Sequence, residues 1–131
     1  MIVDTSVFAA ILFSETDAAL YSELLEAADG IAISAVSRVE LAIVVEGRKG
    51  VDGREPMEEL IAGLGVETVP VSAEQAVLAI DAYRRFGKGM HPASLNIGDC
   101  FVYALAKATG RPLLYKGDDF RRTDVVSART F

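Results

Sequence analysis

The sequence is poor in the side chains that build many catalytic sites, with one cysteine, one histidine and no tryptophan in 131 residues. Cys100 stands alone, so an intramolecular disulfide is excluded, and we expect a cytoplasmic protein. His91 is the only histidine. Zinc sites built on histidine and Ser-His or Cys-His nucleophilic systems are therefore poor predictions, and the chemistry must come from other side chains.

Long apolar runs are also missing. None approaches the roughly 20 residues that cross a membrane. The start Met1-Ile2-Val3-Asp4 lacks the basic and apolar regions of a signal peptide. About half of the residues are apolar (51%), which is enough to form a core. The sequence predicts one compact domain over 1–131, without a membrane segment.

Positive charge is scarce through Tyr83, where 4 Lys/Arg stand against 15 Asp/Glu. From Arg84 onward the balance reverses, with 9 Lys/Arg against 4 Asp/Glu. Such asymmetry can mark a face that binds a polyanion on an otherwise acidic body. Solvated charges without a partner explain the same composition equally well.

Short apolar segments alternate with amphipathic helical patterns along the whole chain. Predicted strands cover 2–3, 31–33, 66–69 and 113–115, with a possible fifth at Val125-Val126. Helix starts are expected at Ser14, Ser37 and Ser72, each a serine with an acid or amide three residues later. The alternation predicts an α/β fold with a mainly parallel central sheet of four to five short strands, flanked by helices.

Four acidic sites are expected to meet at one edge of this sheet. Asp4 and the pair Asp118-Asp119 directly follow predicted strands, whereas Glu40 and Asp99 fall near the starts of helices. Right-handed crossovers place strand-to-helix loops at the same edge. Clustered carboxylates without histidine or cysteine favour Mg²⁺ or Mn²⁺, and through such an ion phosphodiester chemistry.

Each acid also has a purely structural interpretation. Asp4 could cap the following helix, and Glu40 could complete a capping box with Ser37. Asp99 could stabilise its own helix N-terminus, and Asp118-Asp119 could be ordinary turn residues. Any one of these is credible by itself. All four at one predicted edge favour a site.

The chain resembles PIN-domain proteins, and specifically the VapC-type ribonuclease toxins of toxin–antitoxin pairs. Four ordered stretches carry the resemblance across nearly the whole chain: Ile2-Val3-Asp4-Thr5-Ser6, Ser37-Arg38-Val39-Glu40, Leu95-Asn96-Ile97-Gly98-Asp99-Cys100 and Leu113-Leu114-Tyr115-Lys116-Gly117-Asp118-Asp119-Phe120. The first stretch alone is weak, but the ordered set is specific. The resemblance implies a three-layer PIN-like fold.

The resemblance further implies a Mg²⁺- or Mn²⁺-dependent endoribonuclease. Asp4, Glu40 and Asp99 fall on the family's acidic positions as catalytic and metal-binding residues. For the fourth acid, Asp119 is favoured over Asp118 because it directly precedes Phe120. Supporting positions match Ser6 and Asn96, with Asp118 beside them. The implied partners are a VapB-type antitoxin, an RNA substrate (tRNA or ribosomal RNA) and a second copy in a homodimer.

Basic residues near the acids are candidates for RNA binding, namely Arg84, Arg85, Lys88 and Lys116. The apolar segment after Asp4, including Val7, Phe8, Ile11, Leu12 and Phe13, is expected to expose surface to a partner. Two other functions stay open. A Mg²⁺-dependent phosphatase also begins with an acid after the first strand, although Ser6 stands where its second acid is needed. A catalytically inactive PIN-like interaction module is the other.

Overall fold

Four parallel strands form the centre of the protein. A computed structural model, which describes residues 1–129, places β1 (Ile2–Val3), β2 (Ala32–Ser34), β3 (Glu67–Val69) and β4 (Leu113–Leu114) in the order β3-β2-β1-β4. Each neighbouring pair is parallel. Strand β1 therefore lies inside the sheet, and the residue that follows it sits in the middle of the carboxyl edge.

Helices cover both faces of the sheet. They are α1 (Thr5–Leu12), α2 (Ala18–Glu26), α3 (Ala35–Lys49), α4 (Arg54–Gly63), α5 (Ala73–Phe86) and α6 (Ile97–Thr109), with single 3₁₀ turns at Val51–Gly53 and Phe120–Arg122. No helix within residues 1–129 is long and apolar enough to cross a membrane.

Neighbouring residues of a strand pack into two separate hydrophobic cores, one on each face of the sheet. Ile2 packs with residues of α5 and α6, while its neighbour Val3 packs with residues of α1 to α4. Leu113 and Leu114 divide in the same way. Because successive strand side chains point to opposite faces, a sheet buried on both sides needs continuous apolar strands. The predicted three-layer α/β fold is confirmed.

The predicted start of the second helix at Ser14 is wrong. Ser14 has a positive φ of 52°, and its amide donates to Ile11 O while the Glu15 amide donates to Ala10 O. These hydrogen bonds belong to the C-terminal end of α1, so Ser14 does not begin α2. Helix α2 begins at Ala18, with Asp17 as an N-cap that makes no side-chain capping bond.

Helix α3 begins earlier than predicted. Its cap is Ser34, whose hydroxyl accepts from the Val36 amide, whereas Ser37 lies inside the helix and is fully buried. Glu40 therefore stands in the second turn and cannot form a capping box with Ser37. The Ser72 cap of α5 is confirmed, since its hydroxyl accepts from the Gln75 amide at 3.1 Å.

The possible fifth strand at Val125-Val126 does not form. Leu113 N donates to Val126 O at 2.8 Å, and Ala128 N donates to Leu113 O at 2.9 Å, which makes one isolated bridge at Ser127. Side chains hold this segment instead. Asp124 accepts from the Tyr103 hydroxyl at 2.7 Å and pairs with Lys107 at 3.1 Å.

The apolar segment after Asp4 is not the open surface that the sequence suggested. Val7 and Phe8 are fully buried in the core, and Ile11, Leu12 and Phe13 pack against it while partly buried. The Arg48 guanidinium lies 3.9 Å from the centre of the Phe13 ring. The expectation of a partner surface here is wrong for Val7 and Phe8.

Candidate active site

Asp4 lies at the carboxyl end of β1 and is 8% exposed. It caps α1, because its Oδ2 accepts the Ser6 amide at 3.1 Å and the Ser6 hydroxyl at 2.5 Å. The structural interpretation of Asp4 is therefore correct. A role in a site remains open to it, because the cap leaves the other carboxylate oxygen, Oδ1, without a bond from Ser6.

Ser6 joins the first strand to the last. Its Oγ donates to Asp4 and accepts the backbone amide of Lys116 at 3.0 Å. Asp4 N also donates to Leu114 O at 2.9 Å. These bonds bring the loop after β4, which carries Asp119, against the end of β1. These contacts suit the supporting role expected of Ser6, and that role stays a prediction.

Glu40 reaches toward the same region from α3. Its carboxylate lies so close to the backbone of Gly98 that a Cβ added there would be 1.9 Å from Glu40 Oε1. Gly98 directly precedes Asp99 in the first turn of α6. Two helices from different parts of the chain therefore bring a second and a third carboxylate beside Asp4.

Asn96 holds Asp99 in place through a capping box. The Asn96 amide donates to Asp99 Oδ2 at 3.1 Å, and the Asp99 amide donates to Asn96 Oδ1 at 2.9 Å. The predicted effect of Asp99 on its own helix N-terminus is present in this form. The supporting role expected of Asn96 stays a prediction, and this contact suits it.

The two acids of the last pair differ in their surroundings. Both are exposed, and Asp118 pairs with Arg121 at 3.4 Å. Asp119 begins the 3₁₀ turn Phe120–Arg122, and its charge acts on both Asp4 and Asp99. This difference favours Asp119 as the fourth acid.

The carboxylates share uncompensated negative charge. Burial raises the pKa of Asp4, the Ser6 hydrogen bonds oppose this, and Asp119 adds to it. Burial and then Asp4 raise the pKa of Glu40. The pKa of Asp99 rises to about 7, first through burial, against the Asn96 hydrogen bond, and then through Asp4, Asp119 and Glu40. All three other acids therefore act on Asp99.

A hard divalent cation fits this set of donors. The donors are all carboxylate oxygens, and a positive charge would relieve the repulsion that raises these pKa values. Within residues 1–129, no three Asp, Glu, His or Cys side chains converge tightly enough to hold an ion by themselves. Mg²⁺ needs only one or two carboxylates, because it keeps several of its waters.

The PIN domain family model matches residues 1–126. The chain belongs to the PIN-domain family. It is 43% identical to the Mycobacterium tuberculosis protein named Ribonuclease VapC30 over 127 residues, covering 97% of each chain. It is 49% identical over 131 residues to a Mycolicibacterium smegmatis protein named Ribonuclease VapC, covering 97% of this chain and 98% of the relative.

Two solved structures share the PIN fold of this chain. Mycobacterium tuberculosis VapC20, described as a Sarcin-Ricin loop cleaving toxin, superposes with a TM-score of 0.81 at 17% identity and covers 98% of both chains. VapBC2 from Rickettsia felis, solved bound to a DNA fragment from its promoter, has a TM-score of 0.75 at 19% identity over 96% of this chain and 94% of that chain. At these identities the likeness concerns the fold.

The basic residues of this PIN domain fall into two groups. Lys116 Nζ pairs with Glu15 and, at 3.0 Å, with Asp17. Arg85 pairs with Asp81 at 3.5 Å and with Asp124 at 3.4 Å. The charges of these two residues are therefore neutralised within the domain. Their predicted RNA-binding roles stay predictions, and the contacts weaken them.

Arg84 and Lys88 instead line an open groove that the sequence reading missed. The groove has a volume of about 870 Å³ and lies between α5 and the start of α6, with Asn96 in its wall. Most of its wall is apolar, and Ile80, Tyr83, Met90 and Ile97 are exposed there. The sequence did hold a hint of this groove. In α5 the buried face carries Ala79 and Ala82, whereas Val77 and Ile80 are apolar residues outside that face and are exposed.

The raised pKa of Asp99 predicts that the metal-free protein loses stability as pH rises. The unfolded chain ionises near the ordinary value of 3.8, whereas the folded carboxyl holds its proton to about pH 7. Between these values the folded state binds more protons, so stability falls with rising pH. With allowance for solvent screening, the loss should be on the order of 2 kcal/mol. The gain in melting temperature of Asp99→Asn over the wild type should be small at pH 5, early in this window, and largest at pH 8, beyond it.

Asp118→Asn is the matched control, because Asp118 is exposed and pairs only with Arg121. It should give no pH-dependent gain. Millimolar Mn²⁺ at pH 8 should raise the melting temperature of the wild type by linkage, and Asp99→Asn should lose much of that response. Parallel pH profiles for wild type and Asp99→Asn, with no response to Mn²⁺ in either, would contradict the electrostatic coupling described for this site.

Proposed function

We propose that this chain is a Mg²⁺- or Mn²⁺-dependent endoribonuclease toxin that hydrolyses RNA phosphodiester bonds. The observation that carries the proposal is geometric: the Glu40 carboxylate lies against Gly98, directly before Asp99, and Ser6 joins Asp4 to the loop that carries Asp119. In this proposal, the acid after β1 acts together with the acids of α3, α6 and the loop after β4 at the carboxyl edge of the sheet. The ribonuclease names of relatives that are 43% and 49% identical over nearly their full length support the same activity.

Asp4, Glu40, Asp99 and Asp119 are the residues that would hold the cation. When bound, the ion supplies the positive charge that lets a phosphodiester approach four acids and that stabilises its transition state. Ser6 keeps the carboxylate of Asp4 oriented, and Asn96 does the same for Asp99. Because the pKa of Asp99 is about 7, this carboxyl can take up or release a proton near neutral pH in the free protein.

RNA would reach the acids past Arg84 and Lys88, at the border of the groove between α5 and α6, whose apolar wall is left to the dimer contact proposed below. Arg84 and Lys88 line this groove together with Asn96, which binds Asp99 directly. Two cations beside an acidic site can position the phosphate backbone, while unstacked bases meet apolar and aromatic side chains such as Tyr83. Both tRNA and ribosomal RNA satisfy this chemistry.

The two rival functions lack support from the residues. A phosphatase of the type considered needs a second acid two residues after Asp4, and Ser6 there is committed to Asp4 and Lys116. An inactive interaction module has no use for acids whose pKa values are raised first by burial and then by neighbouring carboxylates. Both rivals predict that no RNA is cleaved, so one assay separates them from the nuclease.

Alanine at the proposed catalytic acids should abolish metal-dependent RNA cleavage. Asp4→Ala and Asp99→Ala should lower kcat/KM by about 100-fold or more, because each removes a carboxylate from the cation site. Asp119→Ala should be far more damaging than Asp118→Ala, its exposed neighbour. Cleavage of a defined RNA, with and without EDTA, measures all four. Equal losses at 118 and 119 would remove Asp119 from the site, and full activity in EDTA would refute the metal mechanism.

The apolar groove also supports the proposed homodimer. Ile97 is 76% exposed and Ile80 is 56% exposed on adjoining helices that border the same concave surface. A surface with an exposed apolar side chain beside an apolar groove can pair with itself across a two-fold axis, because the side chain of each copy can enter the groove of the other. The expected state in solution is therefore a dimer built on α5 and α6.

A charge placed in this surface should produce monomers. Ile80→Asp would bury an unpaired carboxylate at the interface, at a cost of several kcal/mol. Val51→Asp is the control, because Val51 is similarly exposed at 76% but lies outside the groove. Sedimentation equilibrium should show a monomer for Ile80→Asp and a dimer for the wild type and Val51→Asp. A monomeric wild type would end the dimer proposal.

A VapB-type antitoxin is the second proposed partner. The fold is shared with the VapBC2 toxin–antitoxin system of Rickettsia felis. Four acids without a compensating charge offer a binding site for one basic side chain, which would take the place of the cation. Such a contact would leave the complex inactive.

Co-expression with the reading frame beside this gene should yield a complex that cleaves no RNA. Substitution of the inserted basic residue should restore cleavage while most of the complex remains, because apolar anchors carry most of the affinity. Copurification followed by the cleavage assay tests both points. An active protein that copurifies with no neighbouring gene product would remove the antitoxin from the proposal.

A further inference from the structure

Gly98 is in closer contact with an acid than any other glycine. A Cβ built on it would lie 1.9 Å from Glu40 Oε1, 2.6 Å from Cδ and 2.8 Å from Oε2. Among the 11 glycines, all within residues 1–129, it is the only one whose added Cβ would fall within 3 Å of a charged group. The Glu40 carboxylate therefore occupies the space that a side chain at position 98 would need.

Backbone conformation does not explain a glycine at this position. Gly98 lies in the first turn of α6 and is absent from the glycines with positive φ. Glycine in a helix is less favourable than alanine, because it loses more conformational freedom on folding. A buried glycine with ordinary helical geometry therefore points to a contact that a methyl group would prevent.

We propose that Gly98 is a positioning residue, whose lack of a Cβ lets the Glu40 carboxylate lie against the first turn of α6, beside Asp99. This inference rests on the proposed nuclease function and deepens it. Glu40 comes from the second turn of α3, and Gly98 gives it the space to approach the acid that follows in the chain. Gly98 acts through Glu40 and needs no contact with substrate.

An added methyl group would move the acid without breaking the fold. All three atoms nearest to the built Cβ belong to the end of the Glu40 side chain, which can rotate away. The carboxylate would then leave the cation site by more than an ångström. A misplacement of this size in a catalytic group typically costs about 100-fold in rate.

The test compares Gly98→Ala with Gly47→Ala. Gly47 lies inside α3, and a Cβ built there meets nothing within 4 Å, so the same chemical change leaves its surroundings intact. Both variants should melt at or above the wild-type temperature, Gly47→Ala by about 3 °C. Gly98→Ala alone should lose RNA cleavage, by about 100-fold, and should show a smaller rise in melting temperature with Mn²⁺. Cleavage by Gly98→Ala within about threefold of the wild type would overturn the inference.

A second pair of variants assigns the effect to Glu40. Glu40→Asp shortens the side chain by one methylene, which clears the Cβ of an alanine at position 98. In that background Gly98→Ala should change cleavage by less than about threefold. If Gly98→Ala alone fails to fold, the added Glu40→Asp change should restore folding. Equal losses in both backgrounds, or a double variant that stays unfolded, would overturn the inference.

Unfolding without metal or RNA separates this inference from the proposed function. In metal-free protein, the change in melting temperature caused by Gly98→Ala should differ by at least about 2 °C between the wild-type and Glu40→Ala backgrounds. Additive changes would show that the two residues do not meet, and would overturn the inference even if RNA is cleaved. A wild type that cleaves no RNA at any Mn²⁺ concentration would refute the nuclease, while the coupling would still decide whether Gly98 positions Glu40.

Discussion

The hydroxyl of Ser6 is the contact on which the site depends. It donates to Asp4 at 2.5 Å and accepts the Lys116 amide at 3.0 Å. The two partners stand at opposite ends of the chain, at β1 and after β4. The β1–β4 strand pair is only two residues long, so this link, together with the Lys116 ion pairs to Glu15 and Asp17 and the burial of Phe120, holds the loop that carries Asp119.

The structural and functional interpretations of the acids coexist. Asp4 caps α1, and Asp99 forms a capping box with Asn96, yet both are also proposed members of the acidic site. Charge-assisted hydrogen bonds from backbone amides favour the ionised carboxylates and so offset part of the repulsion that burial aggravates. The capping hydrogen bonds therefore keep Asp4 and Asp99 at positions where burial and neighbouring acids make a negative charge unfavourable. Within residues 1–129, Glu40 accepts no such hydrogen bond, so its position depends on its packing against Gly98.

Several basic residues near the site form ion pairs with acidic residues of the same domain. Lys116 holds Glu15 and Asp17 of the α1–α2 connection, and Arg85 joins Asp81 and Asp124. These pairs stabilise loops that short strands cannot anchor. Of the four basic residues considered for RNA, only Arg84 and Lys88 line the groove beside the acids, which concentrates the proposed recognition of RNA between α5 and α6.

The sequence by itself determined the α/β class and the Ser72 cap, because strand periodicity and a helix cap depend on residues within a few positions of one another. The family followed from the four ordered stretches that carry the resemblance. The local pattern predicted Ser37 as the start of α3, whereas in the structure the Ser34 hydroxyl caps this helix by accepting the Val36 amide. Only the tertiary structure decided the partners of Lys116, which bonds Glu15 across 101 positions. It also decided the groove and the space at Gly98, since both arise where separate helices meet and no local pattern encodes that distance.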